Sequence, residues 1–187
     1  MADKSEEVKG KIPPQNLDAE KSLLGAVLID EEVLADAAEI THPSDFYDKN
    51  HGLIFAGMMR LFEKHKPVDL LTLTDELKRK DELELVGGSA YLTELTNYVP
   101  TAAHASAYAE MIAQAAVRRR LIKASGDISE LGYDESTTTQ ELLEKAEAEL
   151  FSVSDQSTKQ DLVSLESILT DSFDRIEELS KNKGSLR

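Results

Sequence analysis

The side chains that could make or break bonds are spread out in this sequence, without the neighbours such chemistry needs. His42, His51, His65 and His104 are scattered, and no HExxH or cysteine-based metal spacing gathers them. There is no cysteine, so thiolate chemistry and disulfides are excluded and a reducing compartment fits. Gly10-Lys11 lacks the partners of a phosphate-binding loop, and Gly184 is followed by Ser-Leu-Arg. The many carboxylates fall where helix faces meet solvent. No catalytic, cofactor-binding or metal residue is therefore assigned. What remains is the chemistry of contact, carried by Tyr91 and Tyr98, by the basic run Arg118, Arg119, Arg120 and Lys123, and by apolar rows at helical spacing.

Charge narrows the partners. With 36 acidic against 21 basic residues, the formal charge of -15 repels a phosphate backbone. The basic run reads as a solvated face or as partners for nearby acids rather than a nucleic-acid site. The N-terminus MADKSEEVKGK has no apolar signal core, and no apolar run is long enough to span a bilayer. A soluble, cytoplasmic protein is expected, with no membrane partner.

The elements that position these groups are helical. Ala, Leu, Glu and Lys abound and β-branched runs are scarce. Residues 1–12 are expected to be disordered. The spacing predicts a helix over about 17–29, with Leu17, Leu24, Val27 and Leu28 on one face. Asp30 is expected to cap a short second helix, and a third covers about 49–64 through His51, Ile54, Phe55, Met58 and Phe62. Thr72 to Asp75 resembles a capping box opening a fourth helix. Gly87-Gly88 makes a turn, and Ser89 is expected to cap a fifth helix that Pro100 stops. These form a globular head over 13–100.

A much longer helix over about 102–131 follows. Tyr108, Ile112, Ala115 and Ile122 form one row; Met111, Leu121, Ile128 and Leu131 form another. Two apolar faces need two partners. The helix over 139–153, with Leu142, Leu143, Ala146 and Leu150, supplies one, giving an antiparallel hairpin over 101–153. The other face implies self-association or a protein partner. Residues 154–163 read as a flexible linker. A last helix within 164–187 carries the stripe Leu165, Ile168, Leu169, Phe173, Ile176 and Leu179, which nothing in the chain is placed to cover. The expected fold is all-α: a compact bundle, a long helical hairpin and a detached amphipathic linker helix. The chain stops as a fragment would.

Six stretches, in order, resemble the DnaB family of bacterial replicative DNA helicases. They are PPQNLDAEKSLLGAVLID, HGLIFAGMMRLFEKHKPVDLLTLTDEL, GGSAYLTELTNYVPTAAHASAYAEMI, RRRLI, LLEKAEAELFSVSD and ILTDSFDRIEEL. His104 departs from the pattern, standing where the family usually shows Asn. The resemblance covers the family's N-terminal domain and linker helix, without the RecA-like ATPase domain that carries ATP and Mg²⁺ in the parent.

The resemblance implies a ring that unwinds DNA 5′ to 3′ at the fork, with this fragment as its non-enzymatic collar and DNA held only by the motor domain. Hairpins would pair into dimers through Tyr108, Met111, Ile112, Ala115, Leu121, Leu143 and Leu150, and three dimers would close the ring. The primase C-terminal domain would dock on the collar, with Tyr91, Ile122 and Ile128 as candidate contacts, and a helicase loader is a further possible partner. The stripe from Leu165 to Leu179 would dock on a neighbouring subunit. Two other readings stay open: the helicase-interacting domain of primase, and a stand-alone helical adaptor.

Overall fold

The computed structural model describes residues 12–134 and 136–158, which contain helices and connections and no strand. The helices are α1 (Leu17–Ile29), α2 (Val33–Ile40), α3 (Lys49–Glu63), α4 (Leu70–Arg79), α5 (Gly88–Thr96), α6 (Ala105–Leu131) and α7 (Thr139–Thr158), with a 3₁₀ turn at Pro43–Asp45. The expectations for residues 1–11 and for 159–187, including Leu165, Ile168, Leu169, Phe173, Ile176 and Leu179, lie outside the described residues.

α1 is the central helix. Asn16 caps it, its side-chain oxygen accepting from the Ala19 amide at 3.0 Å. Leu23, Leu24, Ala26 and Val27 are all buried, so the helix is apolar nearly all round, as a helix enclosed by others must be. Leu17, read as part of its inward face, is 38% exposed. Around α1 pack α3, α5 and α6. Gly25 permits the close crossing with α5, because a Cβ there would stand 2.3 Å from the Leu95 carbonyl oxygen.

Ile54, Phe55, Met58 and Leu61 of α3, Leu73 and Leu77 of α4, and Leu92 and Leu95 of α5 complete the core. Each such side chain contributes about 1.5–3 kcal/mol on burial. A buried carboxylate, Glu76, joins α3 to α4. It accepts from Lys64 Nζ at 2.9 Å and from Arg79, and lies 3.5 Å from Arg60 Nε. The Lys64 hydrogen bond leads the interactions that hold its carboxyl below the ordinary range.

Several boundaries differ from expectation. The capping box of α4 is Asp69 with Thr72, one turn earlier than the Thr72–Asp75 pattern. The Thr72 amide donates to Asp69 at 2.8 Å, and the Thr72 hydroxyl accepts from the Asp69 amide at 3.1 Å. Gly87, not Ser89, precedes α5; its φ of 94° suits a residue without Cβ. Asp30 binds the Glu32 amide at 3.1 Å, stabilising the turn before α2 rather than its first turn. α7 runs on to Thr158, into residues read as linker, since no Gly or Pro interrupts it.

The largest difference concerns the head, which does not end at residue 100. Ala105, Ala109, Ile112, Ala113 and Ala116 of α6 are buried, and α6 packs on α1 and α2. Four of these five are alanines, which let the helix axes approach closely. Only the second half of α6 projects as an arm.

Candidate protein-docking surfaces

Beyond the head, burial on α6 falls at Val117, Arg120, Ala124, Ile128 and Leu131, in steps of three and four. On α7 it falls at Leu142, Ala146, Glu149 and Val153, in the same steps. Two such stripes on consecutive helices are the pattern of the facing sides of a helical hairpin. At the tip, Asp134 accepts from the Ser136 amide and from the Ser136 and Thr137 hydroxyls, and these bonds hold its carboxyl at about 2.

One side of the hairpin is left apolar. Leu121 is 45% exposed, Leu143 61% and Leu150 53%, and Phe151, which sequence spacing did not single out, is 70% exposed. Met111 is exposed nearer the head, where its sulfur lies 3.7 Å from Asn16 Nδ2, and Ala115 beside it is half-buried. A shallow depression between the N-terminal segment and α6 is lined by Pro14, Gln15, Asn16, Met111, Gln114, Ala115 and Arg118.

Two expected interface residues belong elsewhere. Ile112 is 1% exposed within the head's own core, so it is not available to a partner. Tyr108 is half-buried against that core, with the His104 ring edge-on to it. The misplacement has a physical origin: the head-facing stripe of α6 is mostly alanine, which apolar spacing underweights beside Ile and Tyr.

Of the other candidates, Ile122 is 54% exposed, whereas Ile128 is half-buried, on the same stripe of α6 as Ala124. Tyr91 is also half-buried, and its hydroxyl is engaged. It lies 2.6 Å from His51 Nε2, while His51 Nδ1 lies 2.7 Å from Glu20 Oε2. Glu20 also accepts from the Tyr47 and Asp48 amides at 2.6 and 3.3 Å. With Nδ1–H donating to the carboxylate, Nε2 accepts from the tyrosine O–H. Both His51 and Glu20 are 1% exposed. Burial, reinforced by the nearby carboxylates Asp48, Glu94 and Glu20, pushes the Tyr91 hydroxyl up to about 12. Its role is to tie α1, α3 and α5 together, and sequence reading missed it. The available signal was a glutamate among the apolar residues of α1.

The basic run divides in the same way. Arg119 donates to the Pro14 carbonyl at 2.8 Å and to the Asp45 carbonyl, and lies 5.7 Å from the Tyr47 ring centre. Burial lowers its guanidinium pKa from the ordinary value. Arg120 pairs with the buried Asp45 carboxylate at 2.6 Å. Two of the four cations are thus consumed in fastening α6 to the head, leaving Arg118 and Lys123 exposed. Among the described residues no His, Asp and Glu group could hold a metal ion, and no helix is long and apolar enough to cross a membrane.

Comparison with known proteins follows these lines. Residues 12–114 match the family model described as the DnaB-like helicase N terminal domain. The chain is 36% identical to the replicative DNA helicase DnaC of Bacillus subtilis over 94% of its own length and 39% of that protein's. It is 38% identical to the replicative DNA helicase DnaB of Geobacillus stearothermophilus, over 97% and 40% of the two lengths. It therefore spans about two fifths of these relatives.

Among solved structures, the N-terminal domain of DnaB helicase from Mycobacterium tuberculosis superposes with a TM-score of 0.73 at 36% identity, covering 75% of this chain and 99% of that one. A DnaB-like replicative helicase, whose structure is described with its interactions with primase, shares the fold. Its TM-score is 0.62 at 22% identity, covering 87% of this chain and 35% of that one.

Proposed function

The chain belongs to the DnaB-like helicase N-terminal domain family, and on that ground we propose that it is collar material of a replicative DNA helicase. In this reading the collar performs no chemistry. ATP and Mg²⁺ act in a RecA-like motor domain that unwinds DNA 5′ to 3′ in the cytoplasm, and DNA is held there. The collar assembles the ring: hairpins pair subunits into dimers, and three dimers close the hexamer. The primase C-terminal domain and a helicase loader use the collar as a platform. The stripe from Leu165 to Leu179 docks on a neighbouring subunit.

The observation that carries this reading is the exposed apolar side of α6 and α7, which lies away from their half-buried stripes. Leu121, Leu143 and Leu150 face water on an arm that contributes little to its own head. Covering each with a second hairpin yields up to about 1.5–3 kcal/mol, and Met111 and Ala115 extend the face toward the head.

Sedimentation equilibrium tests the assembly: the chain should associate, and Leu121→Asp should return it to monomer with its helix content intact. An unchanged mass would move the interface off the hairpin. Calorimetry with the primase C-terminal domain tests the platform. Ile122→Ala should weaken binding roughly tenfold at constant stability, the scale of an interface hot spot. Tyr91→Ala and Ile128→Ala should lower the melting temperature, because both side chains also pack within the protein.

A further inference from the structure

We propose that the depression between the N-terminal segment and α6 captures the C-terminal residue of a partner protein. Arg118 and Asn16 take its α-carboxylate, and Pro14, Met111 and Ala115 take its apolar side chain. The inference does not rest on the ring-assembly reading; the two share only Met111 and Ala115.

The depression is built from two walls. Met111, Gln114, Ala115 and Arg118 stand at i, i+3, i+4 and i+7 on α6, so they share one face of that helix. The opposite wall is the segment that leads into α1, and it is fastened in place. The Pro14 carbonyl accepts from Arg119 at 2.8 Å, and the Asn16 side-chain oxygen accepts from the Ala19 amide at 3.0 Å. A site set in advance in this way spares an occupant part of the cost of ordering it.

Its chemistry asks for a carboxylate. The chain carries 36 acidic residues against 21 basic ones, yet no residue lining the depression is acidic. Asn16 spends its oxygen on the cap of α1, which leaves its amide nitrogen as a donor. That nitrogen faces the Met111 sulfur at 3.7 Å, a weak acceptor. Arg118 is exposed and makes no ion pair among the described residues. Its planar guanidinium matches a carboxylate with two parallel hydrogen bonds. A phosphodiester chain is the poorer occupant, because one arginine does not offset a net charge of -15.

Size then selects the kind of carboxylate. The depression holds about 240 Å³, below the roughly 300–1,000 Å³ of cofactor-sized pockets. In an extended segment, successive side chains point to opposite sides. An acidic side chain and its apolar neighbour therefore do not enter one small depression together. At a chain's C-terminus the carboxylate and the side chain sit on the same carbon, so a single residue such as leucine supplies both.

The test titrates the full chain with N-acetyl-alanyl-alanyl-leucine, followed by amide shifts in NMR. The free acid should bind saturably at the amides around Asn16 and Ala115, and its C-terminal amide roughly tenfold or more weaker. Arg118→Ala, and Gln114→Glu, which adds a like charge, should each weaken the acid about tenfold with the melting temperature unchanged. Equal binding of acid and amide overturns the inference, as does no saturable binding up to about 10 mM. An internal Asp-Leu peptide amide that binds as well as the free acid makes the occupant a passing segment and overturns it too. If the acid binds only after residues 1–11 are deleted, the occupant is the chain's own N-terminal segment. If Arg118→Ala changes only the sedimentation of the chain by itself, the occupant is a second copy. Either result overturns a partner's C-terminus as the occupant.

Discussion

Between Ala105 and Ala116, α6 turns small side chains onto α1 and α2 and disappears into the head. Farther along the same helix, Leu121 and Ile122 lie largely in water, while Ile128 and Leu131 are half-buried. The first half is where the fold is made, and it uses alanines because two helix axes must come close. The second half is where apolar area is left over. Size alone therefore misleads along this helix: Ile112 and Ile122 are the same residue ten positions apart, one 1% exposed and the other 54%. What separates them is the angle around the helix and how far the head reaches along it.

That contrast can be broken most severely from the head. Phe55 is fully buried at the middle of the core, with its ring centre 5.1 Å from that of Phe46. Phe55→Ala should cost about 3–5 kcal/mol, read as a fall in the urea midpoint by circular dichroism. Self-association of the molecules still folded should be retained.

The Glu20–His51–Tyr91 chain gives a smaller effect within the same region. Tyr91→Phe keeps the ring and leaves His51 Nε2 buried without its partner, at about 1–3 kcal/mol. An equally stable Phe variant would show that the hydroxyl contributes nothing to joining the three helices.

Acid sharpens the comparison further. Glu76 has a folded pKa below its ordinary value of 4.5. Its contribution is therefore complete above 4.5 and is lost as pH falls through the lower folded value. Glu76→Gln should lower stability at pH 7, and the gap to the parent should narrow as pH falls below 4.5. Paired urea melts measure it, and a constant gap would remove Glu76 from the acid response.

The smallest stability effect belongs to the arm. Leu121→Ala should leave unfolding within roughly 0.5 kcal/mol under monomeric conditions, since its side chain rests on solvent. The dimer affinity should nonetheless fall measurably by sedimentation. A large loss of monomer stability would mean that the arm is packed like the head.

Much of this was legible beforehand. α3 announced itself through His51, Ile54, Phe55 and Met58, and the hairpin through two amphipathic helices with polar residues between them. The unread parts share one cause: they are tertiary. Glu20 and His51 are 31 positions apart, and His51 and Tyr91 are 40, so no local period links them. The α4 cap was displaced because Asp-x-x-Thr and Thr-x-x-Asp are both acceptable caps, and only the packing of Leu73 and Leu77 chooses between them. Arg118, Arg119 and Arg120 look alike in sequence. Among the described residues, Arg119 and Arg120 become fasteners and Arg118 stays exposed because of where the Asp45 turn and the Pro14 carbonyl lie.

Those fasteners make α6 a lever. At about 1.5 Å per residue, its 27 residues span about 40 Å. Arg119 and Arg120 clamp it near the middle to the Pro14 segment and the Asp45 turn, and that clamp is the fulcrum. No proline interrupts the shaft. Its compliant point is Gly126, where an added Cβ would meet nothing within 4 Å, and it lies on the outer limb, beyond the clamp. A sideways load at the hairpin tip therefore bends the outer limb first. What passes the fulcrum reaches α1 and α2 as a tilt of the whole inner limb, so the head senses torque on its arm rather than the detailed shape of whatever pulls it.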